Sequence, residues 1–267
     1  MYPGIVVEKA EINSLHLSRK VTVDFYLPQN VVHPDEMSLL LVNDGQDLVK
    51  MNFQNILEKL YSDNDRIRPV FCAAVHCSAD RKLEYGVAGI PDFANRGNKA
   101  DVYTSFILKE LLPYIRHTYH VYSFRENVFA GFSLGGLSAL DIVWNYPGIF
   151  NKAGVFSGSL WWRSVDQTEK EYDDDRHRIM HQRIRNGVFN PGQQFFFQCG
   201  NMDETADRNY NGIIDSIEDT LDIITELAKK GYDKDRDICY VEYADGKHDV
   251  DTWARAIPEF MKWGFSY

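Results

Sequence analysis

Ser133, His248 and a carboxylate near position 203 are the residues whose types and surroundings suit covalent acyl chemistry. Ser133 lies in Phe129-Ala130-Gly131-Phe132-Ser133-Leu134-Gly135-Gly136, a G-x-S-x-G sequence between an apolar run at 127–130 and a helical pattern over 134–146 that stops at Pro147. A serine at a sharp strand-to-helix turn projects its hydroxyl above the sheet, and small residues on either side let the backbone turn. The helix N-terminus behind it favours negative charge where an oxyanion would form. The alternative is a glycine-rich turn that only packs helix against strand. The flanking elements and the downstream residues favour a nucleophile.

A serine hydroxyl needs a base within hydrogen-bond reach, and the base needs a carboxylate to hold its tautomer. Of eight histidines, three follow Ser133. His177 and His181 stand among Asp173, Asp174 and Arg176, which reads as a solvated helix face. His248, in Tyr243-Ala244-Asp245-Gly246-Lys247-His248-Asp249, follows the last strand pattern and is the expected base. The competing reading for it is a surface-turn histidine. The acid is expected after the strand ending at Cys199, where Gly200-Asn201-Met202-Asp203-Glu204 offers two adjacent carboxylates. Asp203 is preferred for its shorter side chain at a strand end; Glu204 and then Asp207 compete with it. The oxyanion needs two backbone N–H donors. Leu134 supplies one, and Gln46 in the turn Asn43-Asp44-Gly45-Gln46 is expected to supply the other, with Gly45 allowing close approach.

A second chemistry is written at 207–218. Asp207-Arg208-Asn209-Tyr210-Asn211-Gly212-Ile213-Ile214-Asp215-Ser216-Ile217-Glu218 matches the EF-hand calcium loop. Oxygen donors fall at Asp207, Asn209, Asn211, the Ile213 carbonyl, Asp215 and Glu218, with glycine at the sixth position. A structural Ca2+ that orders the segment carrying Asp203 is the expectation; no cofactor is expected for catalysis. The alternative is a polar turn with Asp215 or Ser216 capping the next helix.

These residues need a frame. Residues 5–7 and 20–27 alternate as antiparallel strands do, while 38–42 and 69–75 are apolar runs fitting strands covered on both faces. Further strands are expected at 151–157, 194–199 and 237–243, and helices at 51–61, 103–119, 134–146, 216–230 and 252–262. The charged stretch 166–186 reads as a surface helix. Strands alternating with helices predict one α/β domain over 1–267, a mostly parallel sheet with helices on both faces. Ligands of such sheets bind beyond the carboxyl ends of the strands.

Composition limits the partners. Net charge is -10 over 267 residues, which disfavours nucleic acid and anionic membranes, and no apolar run is long enough to span a bilayer. Met1-Tyr2-Pro3-Gly4-Ile5 lacks the basic start and apolar stretch of a leader. That predicts a cytoplasmic protein, or one whose leader precedes this sequence, and a calcium loop favours the second. The four cysteines, Cys72, Cys77, Cys199 and Cys239, have no C-x-x-C spacing and read as free thiols. Trp161 and Trp162, after a strand on the nucleophile's side, are expected to border the site and stack on a substrate ring, or else to pack beneath the charged helix. Arg81 and Arg163 are expected either to meet an anionic substrate group or to pair with Glu84 and Asp166.

Several segments together resemble the esterase D and enterochelin-esterase-like hydrolases. They are Asp44-Gly45-Gln46; Arg81 with Glu84-Tyr85; Glu110-Leu111-Leu112-Pro113-Tyr114-Ile115; Ala130 through Gly136; Tyr146-Pro147-Gly148-Ile149-Phe150; Ser157-Gly158-Ser159-Leu160-Trp161-Trp162; and His248 with Trp253. The resemblance spans nearly the whole chain. It implies an α/β-hydrolase fold and hydrolysis of a small-molecule ester by Ser133, His248 and an acid near 203. Three readings stand open: a serine carboxylesterase, an acyltransferase using the same residues, and a non-catalytic calcium-binding relative. Oligomeric state and the two halves of the ester are not encoded in any recognisable pattern.

Overall fold

The computed structural model describes residues 4–31, 33–62 and 67–267. Met1 to Pro3, the start of the stretch read for leader character, lie outside the described residues. The strands are β1 (Ile5–Ser14), β2 (Arg19–Pro28), β3 (Ser38–Asn43), β4 (Val70–Val75), β5 (Asn127–Phe132), β6 (Lys152–Phe156), β7 (Gln194–Met202) and β8 (Ile238–Lys247). They form one sheet in the order β1-β2-β4-β3-β5-β6-β7-β8. Pairs β1–β2 and β2–β4 are antiparallel, and every other pair is parallel.

Every residue of β3, β4 and β6 is buried, as strands with helices over both faces require. Successive side chains alternate between two cores. Leu39, Leu41, Phe195 and Phe197 enter the larger one, beneath α3 (Ala100–Phe106), α5 (Leu134–Asn145), α7 (Ile179–Asn186) and α8 (Asp215–Lys230). Leu40, Val42 and Phe196 enter the other, beneath α1 (Phe53–Ser62) and α9 (Val250–Phe265). A short α2 (Arg81–Glu84) follows β4, and α3 runs through a π-turn at Ile107–Leu111 into α4 (Leu112–Tyr119).

Two helix ends matter for the site. Asp249 Oδ1 accepts from the Thr252 amide at 2.9 Å and caps α9, so His248 stands just ahead of a fixed helix start. Gly231, at φ 117°, closes α8 with its amide on the Ala228 carbonyl. The stretch 166–186 departs from a single solvated helix: it holds a turn, α6 (Asp174–His177) and α7. Ile179, Met180 and Ile184 are buried, because three apolar side chains at helical spacing outweigh their charged neighbours.

Candidate active site

Ser133 sits between β5 and α5 at φ 53°, ψ -122°. A non-glycine residue held there costs of order 1–3 kcal/mol, so the surroundings must hold it. The Ser133 amide donates to the Phe156 carbonyl at 2.8 Å, and its carbonyl accepts from the Gly136 and Leu137 amides at 3.0 and 3.2 Å. The flanking glycines are steric necessities. A Cβ on Gly131 would lie 2.4 Å from the Gly135 carbonyl carbon, and one on Gly135 would lie 2.5 Å from Asp44 Oδ2. Ser133 Oγ lies 3.3 Å from Ser159 Oγ.

The sheet brings the carboxylate and the imidazole together. Met202 at the end of β7 pairs with Lys247 at the end of β8, so Asp203 and His248 are the next residues of adjacent parallel strands. A bulge between Gly200 and Met202 sets this register, and β7 and β8 approach so closely there that a Cβ on Gly200 would lie 2.4 Å from the Gly246 carbonyl carbon. Asp203 Oδ2 accepts from the Gly200 amide at 3.1 Å, while its buried Oδ1 has no hydrogen-bond partner. Burial raises the Asp203 carboxyl, and the Gly200 amide, the Ser157 hydroxyl and His248 oppose that rise. Burial lowers the His248 imidazole below its ordinary value; Asp203 pulls it back up and Arg81 pushes it down. The imidazole stands edge-on to Trp253 at 5.3 Å, and the Trp253 indole donates to Ser157 Oγ at 3.0 Å. Among the described residues no hydrogen bond joins His248 to Ser133 or Asp203, and such contacts often tighten only with substrate present. Glu204 lines a cavity, and burial raises its carboxyl while the Ser216 amide counters.

The turn after β3 lies against the same edge. Asp44 adopts a left-handed conformation at φ 60°, followed by the short helix Gly45–Asp47. Neither the Gln46 amide nor the Leu134 amide donates to a protein group among the described residues. Gly45 approaches β4 rather than open space: its Cβ would lie 2.3 Å from the Ala74 carbonyl carbon. Arg81 does not pair with Glu84, which takes Arg19 at 2.6 Å instead. Its guanidinium forks onto Asp44, because the buried Asp44 carboxylate needs a partner and the turn brings it within reach.

A cavity of about 330 Å³ is lined by Phe93, Arg96, Trp161, Arg163, Glu204 and Asp215, among others. Trp161 borders it, with the Arg96 and Arg163 guanidinium carbons 4.8 and 5.7 Å from its ring. Trp162 does not border the site. It is wholly buried in the larger core against Gly86 and Gly97, because consecutive residues after β6 point to opposite sides. Arg163 hydrogen-bonds Gln167 rather than Asp166. His181, expected in solvent, is buried with Nε2 on the Asp219 carbonyl at 2.9 Å, and burial pushes it down to about 3. His177 does stay at the surface, accepting from the Asp173 amide at 2.9 Å. Sequence reading passed over Ser159, Arg96 and the strained Ser157, at φ 43°; the first and last stand in the Ser-Gly-Ser segment that carried part of the resemblance.

The polar side chains of the 207–218 loop bond within the loop. Asp207 Oδ2 accepts from the Gly212 amide at 2.9 Å, and the Asn209 and Asn211 side chains meet Glu218 Oε1 at 2.7 and 2.6 Å. Arg208 also enters, its guanidinium on Asp174, Asp215, Glu218 and Asp219. Among the described residues no three His, Cys, Asp or Glu side chains gather as a metal set. Ile213 offers its carbonyl to the loop only by its place in the motif, its amide donating to Asn211 Oδ1 at 2.8 Å.

Residues 14–263 match a family model described as "Putative esterase". The chain is 22% identical over 261 residues to YjcH of Bacillus subtilis (strain 168), itself uncharacterized, covering 97% of each. It superposes on the enterochelin esterase of Shigella flexneri with a TM-score of 0.72 at 17% identity, covering 96% of this chain and 57% of that one. It also superposes on the siderophore hydrolase EstB of Aspergillus nidulans with a TM-score of 0.73 at 14% identity, covering 97% and 95%. The chain thus spans little more than half of the Shigella enzyme. No helix among the described residues is long and apolar enough to cross a membrane. A serine in a glycine-flanked elbow, an α/β-hydrolase sheet and a family match along almost the whole length agree: the chain belongs to this esterase family and is a carboxylic ester hydrolase.

Proposed function

We propose that the protein hydrolyses its ester through an acyl-enzyme, with Ser133 as nucleophile, His248 as base and Asp203 as orienting acid. The observation that carries the reading is the Met202–Lys247 register, which sets residues 203 and 248 side by side at the strand edge that also bears Ser133. In the first step Ser133 Oγ attacks the ester carbonyl carbon while His248 accepts the hydroxyl proton. The carbonyl oxygen becomes an oxyanion facing the Leu134 and Gln46 amides. Collapse expels the alcohol, which takes the proton from His248. Water then attacks the acyl-enzyme with His248 again as base, and the acid leaves as Ser133 regains its proton. Asp203 holds the imidazole tautomer and steadies its positive form.

The cavity beside Trp161 suits an ester bearing an aromatic group, for which the half-buried indole offers a stacking face. Structural neighbours include an enterochelin esterase, a siderophore hydrolase and a ferulic acid esterase, and esters of hydroxylated aromatic acids are the substrates to assay first. The test is hydrolysis of 4-nitrophenyl and feruloyl esters by wild type and Ser133→Ala. Loss with the variant supports the reading; ester transfer to an added alcohol in preference to water would recast the protein as an acyltransferase.

We further propose a calcium ion in the 207–218 loop, held by Asp207, Asn209, Asn211, the Ile213 carbonyl, Asp215 and Glu218. Supporting it are the convergence of Asn209 and Asn211 on Glu218 and the Asp207–Gly212 bond. Loading would exchange Arg208 for the ion at Asp215 and Glu218. Calcium titration followed by calorimetry, with Asn211→Ala as control, decides it: no heat from the wild type removes the ion.

A further inference from the structure

We propose that Arg81 is a positioning residue that locks the Gln46 segment to the Ser133 segment, so that both oxyanion amides face one point; the inference rests on the ester-hydrolysis reading above. The two amides come from distant parts of the chain, and neither segment alone determines their separation. Arg81 touches both. Its Nε and Nη2 donate to Asp44 Oδ1 and Oδ2, each at 2.7 Å, and Nη2 also donates to the Phe132 carbonyl at 3.3 Å. Asp44 lies two residues before Gln46, and Phe132 lies two residues before Leu134. One guanidinium therefore spans the corresponding points of both donor segments.

The surroundings keep that bridge in one geometry. Asp44 is buried, and its amide donates to the Tyr85 hydroxyl at 3.3 Å, while the Tyr85 ring lies 5.3 Å from the guanidinium carbon. The Gln46 side chain does not reach toward substrate; its Oε1 accepts from the Cys77 amide at 3.1 Å and ties the turn to the segment that carries Arg81. A planar fork with fixed donors suits this task, and a lysine ammonium reproduces its charge without its geometry. The charge has its own reach. His248 faces Asp203 from the end of β7, Asp249 from the cap of α9 and Arg81 from α2; the two carboxylates favour its protonated form and Arg81 opposes it.

The experiment compares Arg81→Lys, Arg81→Met and Asp44→Asn with wild type in ester turnover across pH, with thermal melting beside each. Arg81→Lys should lose about 100-fold in kcat with little change in KM, as a displaced oxyanion donor does, and should keep the wild-type acid limb. Arg81→Met should lose at least as much, and its acid limb should move to higher pH, because removing the positive charge lets His248 bind a proton more readily. Asp44→Asn keeps one acceptor for the fork and should fall between wild type and Arg81→Lys. Wild-type kcat in Arg81→Lys overturns the proposal, as does wild-type kcat in a folded Arg81→Met. Should Arg81→Met not fold, the other two variants decide: wild-type turnover in both overturns it. Failure of the underlying reading looks different, since Ser133→Ala would then hydrolyse esters at the wild-type rate.

Discussion

Around Ser133 the backbone does most of the positioning, whereas along residues 207–218, just beyond Asp203, charged side chains do. The elbow rests on amide–carbonyl bonds to Phe156, Gly136 and Leu137 and on glycines that admit no Cβ. The acid-bearing segment instead leans on Arg208, whose guanidinium meets four carboxylates from α6, the 207–218 loop and α8. Backbone positioning is insensitive to salt and pH. Charge positioning is adjustable, because each carboxylate has alternative partners, a cation among them. The part of the site that attacks is therefore rigid, and the loop that follows the acid is the part a ligand or ion can retune.

The comparison can be broken most sharply at Ser133. Ser133→Ala should reduce kcat by about 10⁵–10⁶-fold while melting close to wild type, since the bonds that hold the Ser133 backbone are main-chain and the substitution removes only the contact to Ser159 Oγ. Next comes the acid: Asp203→Ala should cost about 10⁴-fold in kcat, against a change within about threefold for Glu204→Ala. Equal losses in the two variants would refute the Met202–Lys247 register as the basis for choosing between them. A pH profile of kcat/KM sharpens the point. Burial lowers His248, so the neutral base persists as pH falls, and the acid limb should lie below the ordinary imidazole value. Asp203→Asn removes the negative charge that favours protonation, so what activity remains should have its acid limb displaced further toward low pH. Gly135→Ala comes next: its Cβ would meet Asp44 Oδ2, and overpacking of this kind should cost about 1–3 kcal/mol in a denaturation experiment. Comparable in free energy is calcium. At about 100 times its Kd it should add about 2.7 kcal/mol, raising Tm by about 5–10 °C at most in a chain of this size, and by nothing in Asn211→Ala.

The same contrast explains what could be read from the chain. Main-chain geometry leaves local marks: Gly131, Ser133 and Gly135 state the elbow within five residues, and unbroken apolar runs state β3 and β4. That residues 203 and 248 stand just past β7 and β8 was legible because each follows an apolar strand pattern. Side-chain partnerships leave no local mark. For Arg81 the sequence offers an anionic substrate group or its near neighbour Glu84, yet its partner lies in another loop, at Asp44. His181 looked solvated beside Asp173 and Arg176, and only the packing of α7 on α8 makes it an interior residue. Trp161 and Trp162 were indistinguishable as a pair, until the chain's direction after β6 sent one to the cavity and the other to the core.

Because residues 203 and 248 extend neighbouring parallel strands, their separation is inherited from the sheet, whose strands lie about 4.8 Å apart. Loop length does not enter that distance. Segments after Asp203 can therefore lengthen, shorten or be exchanged between relatives while the acid and the base keep their spacing. Diversity in what the protein accepts can accumulate in the loops at that edge, leaving the proton-transfer geometry as a constant of the architecture.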